Sequence, residues 1–177
     1  MPTSHPGLIT PIMTQILWSQ PPSILDIGVG QGKFGALSRE YLDIWQRRYK
    51  RSQWKTIIDG VEIFEEYKNP SWDYYYNRIY IGDILDVIKD LKPYDTILFL
   101  EVIEHMSKED GLKVLQWCQQ NSQQIFFSYT NSNQSDAFGN EHERHISTWN
   151  PEDFNFMGKI ELLFDGGVTK LFLAKKE

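Results

Sequence analysis

Cysteine is almost missing from this sequence: Cys118 is the only one in 177 residues. No intramolecular disulfide can form, which excludes the stapled secreted scaffolds and points to a reducing compartment. Cys118 shares an apolar pattern with Leu112 and Leu115, which predicts a buried, inert thiol rather than a nucleophile. Long apolar runs are missing too, and none approaches the roughly 18 residues of a membrane span. The opening stretch MPTSHPGLITPIMTQILW lacks the positive start and sustained apolar core of a signal peptide. The expectation is a soluble, cytoplasmic protein with no membrane partner. Basic charge is scarce: 18 Lys and Arg stand against 24 Asp and Glu, for a formal net charge of -6. That argues against broad binding to a polyanion while leaving room for a local basic patch. There is no internal repeat and no low-complexity tract.

What is present is a globular balance, and 177 residues suit one domain. Residues 1–22 read as an N-terminal segment: a loose start through residue 8, then a short amphipathic cover helix from Thr10 to Ser19 built on Ile12, Ile16 and Leu17. Pro21 and Pro22 stop it. From residue 23 to residue 177, short apolar runs alternate with helical patterns. Strands are predicted at Ser23–Ile27, Thr56–Val61, Arg78–Ile81, Thr96–Leu100 and Gln124–Tyr129. Helices are predicted through Phe34, Leu37, Tyr41 and Ile44, over Asp83–Leu91, over Lys108–Gln119, and after the Asn150-Pro151 start signal. Lys159–Phe164 and Val168–Ala174, split by Asp165-Gly166-Gly167, read as a hairpin. The sum is a three-layer α/β fold: a Rossmann-like sheet of seven strands, mostly parallel, with an antiparallel hairpin at its C-terminal end.

The sharpest local signal is Asp26-Ile-Gly28-Val-Gly30-Gln-Gly32-Lys33-Phe-Gly35, where a strand runs into a glycine turn that opens a helix. Gly30, Gly32 and Gly35 match G-x-G-x-x-G, the dinucleotide fingerprint. Asp26, ahead of the first glycine, argues the other way: an acid there repels a pyrophosphate and suits the ammonium of an amino acid. The next strand-end acid, Glu62, follows Gly32 by 30 residues, whereas the fingerprint expects about 20.

The order Asp26-x-Gly28-x-Gly30-x-Gly32 resembles the first motif of class I S-adenosylmethionine-dependent methyltransferases. The resemblance extends from Ile24 to the final hairpin. Asp59-Gly-Val-Glu62 is similar to the family's second motif, whose acid binds ribose hydroxyls. Ile81-Gly82-Asp83-Ile84 is similar to the third, where the acid takes the adenine amino group and an apolar neighbour packs the ring. Tyr94-Asp95 through Glu101 is similar to the fourth, at the methyl-transfer face. The resemblance therefore implies S-adenosylmethionine as cofactor, held by Asp26, Gly28, Gly30, Gly32, Glu62, Asp83, Ile84 and Glu101.

The same resemblance implies chemistry around Glu101, Glu104, His105 and His145. Glu101-Val-Ile-Glu104-His105 resembles an E-x-x-E-H segment of two branches of the family. One branch treats small metabolites without metal; the other methylates the 2′-hydroxyl at an RNA 3′ end, with two acids and two histidines as a metal site. The reading adopted is a small-molecule acceptor and no metal, with nucleic acid as the alternative. Asn131–Trp149 is too long for an ordinary connection. There His142, Arg144, His145 and Trp149 are expected near the acceptor, with Arg144 suited to a carboxylate or phosphate. The basic cluster Arg47–Arg51, with Lys55, reads as a solvated helix end. Trp72–Tyr76 reads equally as a stacking surface or as local packing. Other classes left open are a nicotinamide oxidoreductase and a non-catalytic cofactor-binding subunit. Nothing in the sequence fixes the acceptor atom or the oligomeric state.

Overall fold

A computed structural model of the chain describes residues 3–135 and 139–176. The apolar runs form seven strands: β1 (Ser23–Ile27), β2 (Ile57–Glu62), β3 (Arg78–Ile81), β4 (Tyr94–Leu100), β5 (Ser122–Thr130), β6 (Ile160–Asp165) and β7 (Thr169–Lys175). They make one sheet in the order β3-β2-β1-β4-β5-β7-β6. Strands β1 to β5 run parallel, and β7 lies antiparallel between β5 and β6. The hairpin turns at Gly167, where φ of +83° needs a glycine and the Asp165 carboxylate accepts the Gly167 N–H at 2.9 Å.

Helices cover both faces, as the alternation implied. Along β4, Ile97 and Phe99 point into one core while Leu98 and Leu100 point into the other. The first core is closed by α4 (Ile84–Val87) and α5 (Lys108–Gln120), whose Val114, Leu115 and Cys118 are buried there. Burial pushes the Cys118 thiol far above its ordinary range, so it stays protonated and inert. The second core is closed by α1 (Ile9–Ser19), α2 (Lys33–Arg39) and α3 (Pro70–Tyr75), with Ile12, Ile16, Phe34 and Trp72 inward. No helix among the described residues is long and apolar enough to cross a membrane.

Four expectations are corrected, in whole or in part. Of the expected stripe, Phe34 is buried and Leu37 and Tyr41 pack half-buried against the second core, but they do not make the whole inward face. The helix widens into a π-turn at Glu40–Ile44, and Phe34, Ser38, Arg39, Leu42 and Asp43 are the buried residues. Asp43 is drawn inward because Arg39 is: the guanidinium meets Asp43 Oδ2 at 2.5 Å and the carbonyls of Thr56 and Tyr75 at 2.7 and 2.9 Å. Arg48 reaches the other Asp43 oxygen at 2.7 Å, so part of the basic cluster is structural. Trp149 does not face a ligand; it is fully buried and stacks on Phe154. Residues 3–8 are pinned rather than loose: Leu8 is buried, and Lys33 Nζ donates to the Ser4 carbonyl at 2.7 Å.

Candidate functional site

The carboxyl ends of the parallel strands open into a cavity of about 750 Å³, the place where doubly wound sheets bind ligands. Its floor is the loop after β1. Gly28 adopts φ of +82°, and a Cβ there would stand 2.3 Å from Val102 Cγ2, so only glycine lets the loop lie against the end of β4. Gly30 N–H points to Glu62 Oε2 at 2.8 Å, while Glu62 Oε1 accepts the Phe64 N–H at 3.0 Å. Burial raises the Glu62 carboxyl above its ordinary value, and these N–H groups oppose that. A carboxylate has about four acceptor sites, so these N–H groups, with that of Ile63, leave Glu62 capacity for a further donor.

Of the sequence-predicted cofactor residues, Gly28, Gly30, Glu62, Asp83, Ile84 and Glu101 line the cavity, and Asp26 and Gly32 do not. Gly32, with φ of +85°, is the residue that caps α2. Asp26 sits beneath the loop, 3% exposed, and its Oδ2 accepts the Tyr76 hydroxyl at 2.6 Å. The same hydroxyl accepts the Gly35 N–H at 3.0 Å. Desolvation pushes the Asp26 carboxyl up to about 7 against the opposing Tyr76 hydrogen bond. Asp83 both faces the cavity and caps α4, accepting the Leu85 N–H at 2.8 Å.

Sequence reasoning missed this underpinning. Trp72 Nε1 donates to the Gly30 carbonyl at 2.8 Å, so α3 braces the loop from two aromatic side chains. A Cβ on Gly35 would lie 2.2 Å from the Tyr76 ring, which explains the third glycine without any ligand. The run of aromatics at 72–76 was the available signal. Lys33 was also overlooked; it lines the cavity and ties Thr3 and Ser4 across it.

On the other side stand Glu101, Glu104, His105 and His145, all of them lining the cavity. Glu101 follows β4 with φ of +52°, a left-handed backbone that costs about 1–3 kcal/mol in a non-glycine residue. Its N–H donates to Ser128 Oγ at 2.9 Å, and its carboxylate accepts the Thr130 hydroxyl and the His5 N–H. Glu104 is fully buried: Oε1 accepts the Thr130 N–H at 2.8 Å, and Oε2 has no protein partner. Desolvation pushes this carboxyl up to about 8, so it is protonated at neutral pH.

The two histidine rings meet edge to face, 4.8 Å between centroids. His105 Nδ1 lies 3.1 Å from the Arg144 carbonyl and His145 Nδ1 lies 2.7 Å from the Ser132 carbonyl. A carbonyl only accepts, so each Nδ1 carries a proton. Burial lowers the His105 pKa, which keeps that ring neutral. Of the long loop, Ser132, Gln134, Asn140, His142, Glu143, His145 and Ile146 line the cavity, Arg144 does not, and residues 136–138 lie outside the described residues.

No protein-family model and no curated protein matches the sequence. Solved structures do match in fold. The N-terminal domain of EvdMO1, determined in the presence of S-adenosylhomocysteine and D-fucose, superposes with a TM-score of 0.68 at 14% identity, over 99% of this chain and 85% of that one. A SAM-dependent methyltransferase from Archaeoglobus fulgidus gives 0.63 at 16%, over 93% of each chain. The methyltransferase domain of a bacterial Hen1 protein gives 0.57 at 14%, over 96% and 98%. This chain has the Rossmann-like α/β fold of those proteins.

Proposed function

We propose that the protein is an S-adenosylmethionine-dependent methyltransferase acting on a small-molecule acceptor. One observation carries the reading: Glu62, Asp83 and Glu101, at the ends of three strands, line a single cavity around the glycine loop that follows β1. The S-adenosylhomocysteine carried by the EvdMO1 domain supports the same cofactor. The residues fit it. Glu62 keeps acceptor capacity for a ribose hydroxyl, Ile84 offers an apolar face beside Asp83 for a purine, and Glu101 sits on the loop's far side. Asp26 acts from beneath as a positioning residue, setting the loop through Tyr76. A dinucleotide fold of strand order 3-2-1-4-5-6 has no antiparallel strand inserted beside β5, so the nicotinamide alternative fits this sheet less well.

The bound cofactor supplies an activated methyl on a sulfonium, so the chain's task is to place and deprotonate an acceptor. His105 Nε2, unprotonated and on the cavity wall, takes the acceptor's proton. Glu104, protonated, donates from Oε2. His145 packs edge to face against the His105 ring and holds its orientation. Glu101 spans both halves. The metal-assisted RNA alternative needs Glu101, Glu104, His105 and a further histidine around one ion. Among the described residues no three such side chains converge on a site that could hold one. The reading taken here is the metal-free one, and no step runs through a metal.

Calorimetric titration tests the reading. S-adenosylmethionine should bind saturably, NADH should not, and Glu62→Gln should weaken the cofactor roughly tenfold to a hundredfold, as expected for losing hydrogen bonds to a charged acceptor. Absence of binding, or an unchanged affinity in Glu62→Gln, removes the assignment.

A further inference from the structure

Resting on that reading, we infer that the acceptor half of the cavity takes uncharged, hydroxyl-bearing small molecules and rejects phosphates and carboxylates. The sign of the wall sets this selectivity. Apart from Glu62 and Asp83, which face the cofactor, and Glu104, which is held protonated, the described lining residues Glu101, Asp110 and Glu143 carry carboxyls, and Lys33 alone carries an ammonium. That ammonium already donates to the Ser4 carbonyl at 2.7 Å and to Thr3 Oγ1 at 3.1 Å. Arg144, the cation the sequence offered for an anionic acceptor, is exposed and presents only its backbone carbonyl, to His105. An anion entering here leaves its hydration shell for a cleft with no guanidinium to replace it, and meets carboxylates at reduced dielectric. The single net positive charge of a sulfonium cofactor does not reverse that balance.

The remaining polar groups suit hydroxyls. Tyr67 donates its hydroxyl to Glu143 Oε1 at 2.8 Å and accepts from Asn140 Nδ2 at 2.9 Å. Gln134 Nε2 donates to the Glu143 carbonyl at 2.7 Å, bringing a second amide to the same wall. Amides, a phenol and a carboxylate thus form a polar network on this wall, and a polyol hydroxyl, which both donates and accepts, can exchange into such a network without bringing charge. A terminal ribose in RNA brings its phosphodiester with it and falls in the rejected class.

The test uses the whole chain saturated with S-adenosylhomocysteine, with saturation checked by calorimetry. Saturation-transfer NMR is then recorded against a mixture of neutral monosaccharides and nucleosides, and against their phosphates and uronates. Members of the neutral mixture should receive magnetisation and the anions none. Ile146→Lys, at an exposed position on the cavity rim, and Glu143→Gln should each tighten phosphate binding by about tenfold. Transfer to a phosphate in the unmodified protein, methylation of an RNA 3′ end, or no transfer to any neutral compound overturns the inference. Loss of S-adenosylhomocysteine binding instead sinks the methyltransferase reading, so the two failures are told apart.

Discussion

Glu104 makes the stability of the protein fall as pH rises. Its carboxyl is held at about 8, against an ordinary value of 4.5, by complete burial. Below pH 4.5 the folded and unfolded chains both hold the proton. Between 4.5 and 8 only the folded chain does, so each step in pH removes stability, at about 1.4 kcal/mol per pH unit. From pH 6 to pH 8 the loss is about 2 kcal/mol, once half-titration at the upper end is allowed for, or roughly 4–8 °C in Tm for a chain of this size. Asp26 acts in the same direction, because its carboxyl is raised to about 7. The comparison that isolates Glu104 is therefore wild type against Glu104→Gln. Glutamine keeps an oxygen for the Thr130 N–H and presents N–H where Oε2 now lies unpartnered. It has no proton to lose. The assay is thermal denaturation at pH 6, 7 and 8 in constant ionic strength. The variant's Tm should fall less than the wild-type Tm by the amount above. Parallel curves would refute the claim that a buried neutral carboxyl stands beside the histidine pair.

Three further outcomes follow. Tyr76→Phe removes the hydroxyl shared by Asp26 and the Gly35 N–H; it should destabilise the fold by about 2–3 kcal/mol in denaturant unfolding and weaken cofactor binding without touching the cavity wall. Lys33→Met frees Thr3 and Ser4, and stopped-flow measurement should show faster cofactor release with an unchanged Tm. His105→Gln should lower the methyl-transfer rate about a hundredfold or more while leaving cofactor affinity intact, since the ring is placed as a base; equal loss in both would make it a binding residue.

The fold was legible because its signals were redundant. Strand runs such as Thr96–Leu100 are apolar on both faces, and a parallel sheet requires that. The hairpin announced itself through Asp165-Gly166-Gly167. The candidate site was legible only in part: Glu62, Asp83 and Glu101, marked by residue type near strand ends, line one cavity. Asp26 shows the limit. Its position ahead of the glycines was visible, but the direction of its side chain depends on Tyr76, fifty residues away, and no local pattern links the two. Arg39 and Asp43 show another: a periodicity of 3.6 assumes an apolar stripe, whereas here a buried ion pair and a π-turn carry the helix inward. Trp149 was misplaced for the same reason, since an aromatic in a polar loop reads alike whether it faces a ligand or the core.

Several unfavourable features of this molecule gather at one edge, although Gln20 and Arg47 also hold left-handed backbones and Ser38 Oγ is also buried without a partner. Glu101 holds a left-handed backbone, Glu104 and Asp26 are carboxyls forced toward neutrality, and Oε2 of Glu104 is buried without a partner. Elsewhere the described buried charges are bonded, Arg39 and Asp43 at several atoms and Asp59 to the Tyr94 hydroxyl. Local strain survives selection where a ligand repays it. The repayment is measurable: a ligand that supplies a partner to Oε2 must raise Tm more than its affinity for the cofactor half alone accounts for, through mass action on the folded state. A neutral acceptor added to the cofactor complex should therefore give a second increment in Tm in the wild type. In Glu104→Ala, where that partner is gone, the cofactor's own increment should persist and the acceptor's should vanish. An acceptor increment that survives the substitution would place the acceptor away from Glu104 and detach the histidine pair from the chemistry.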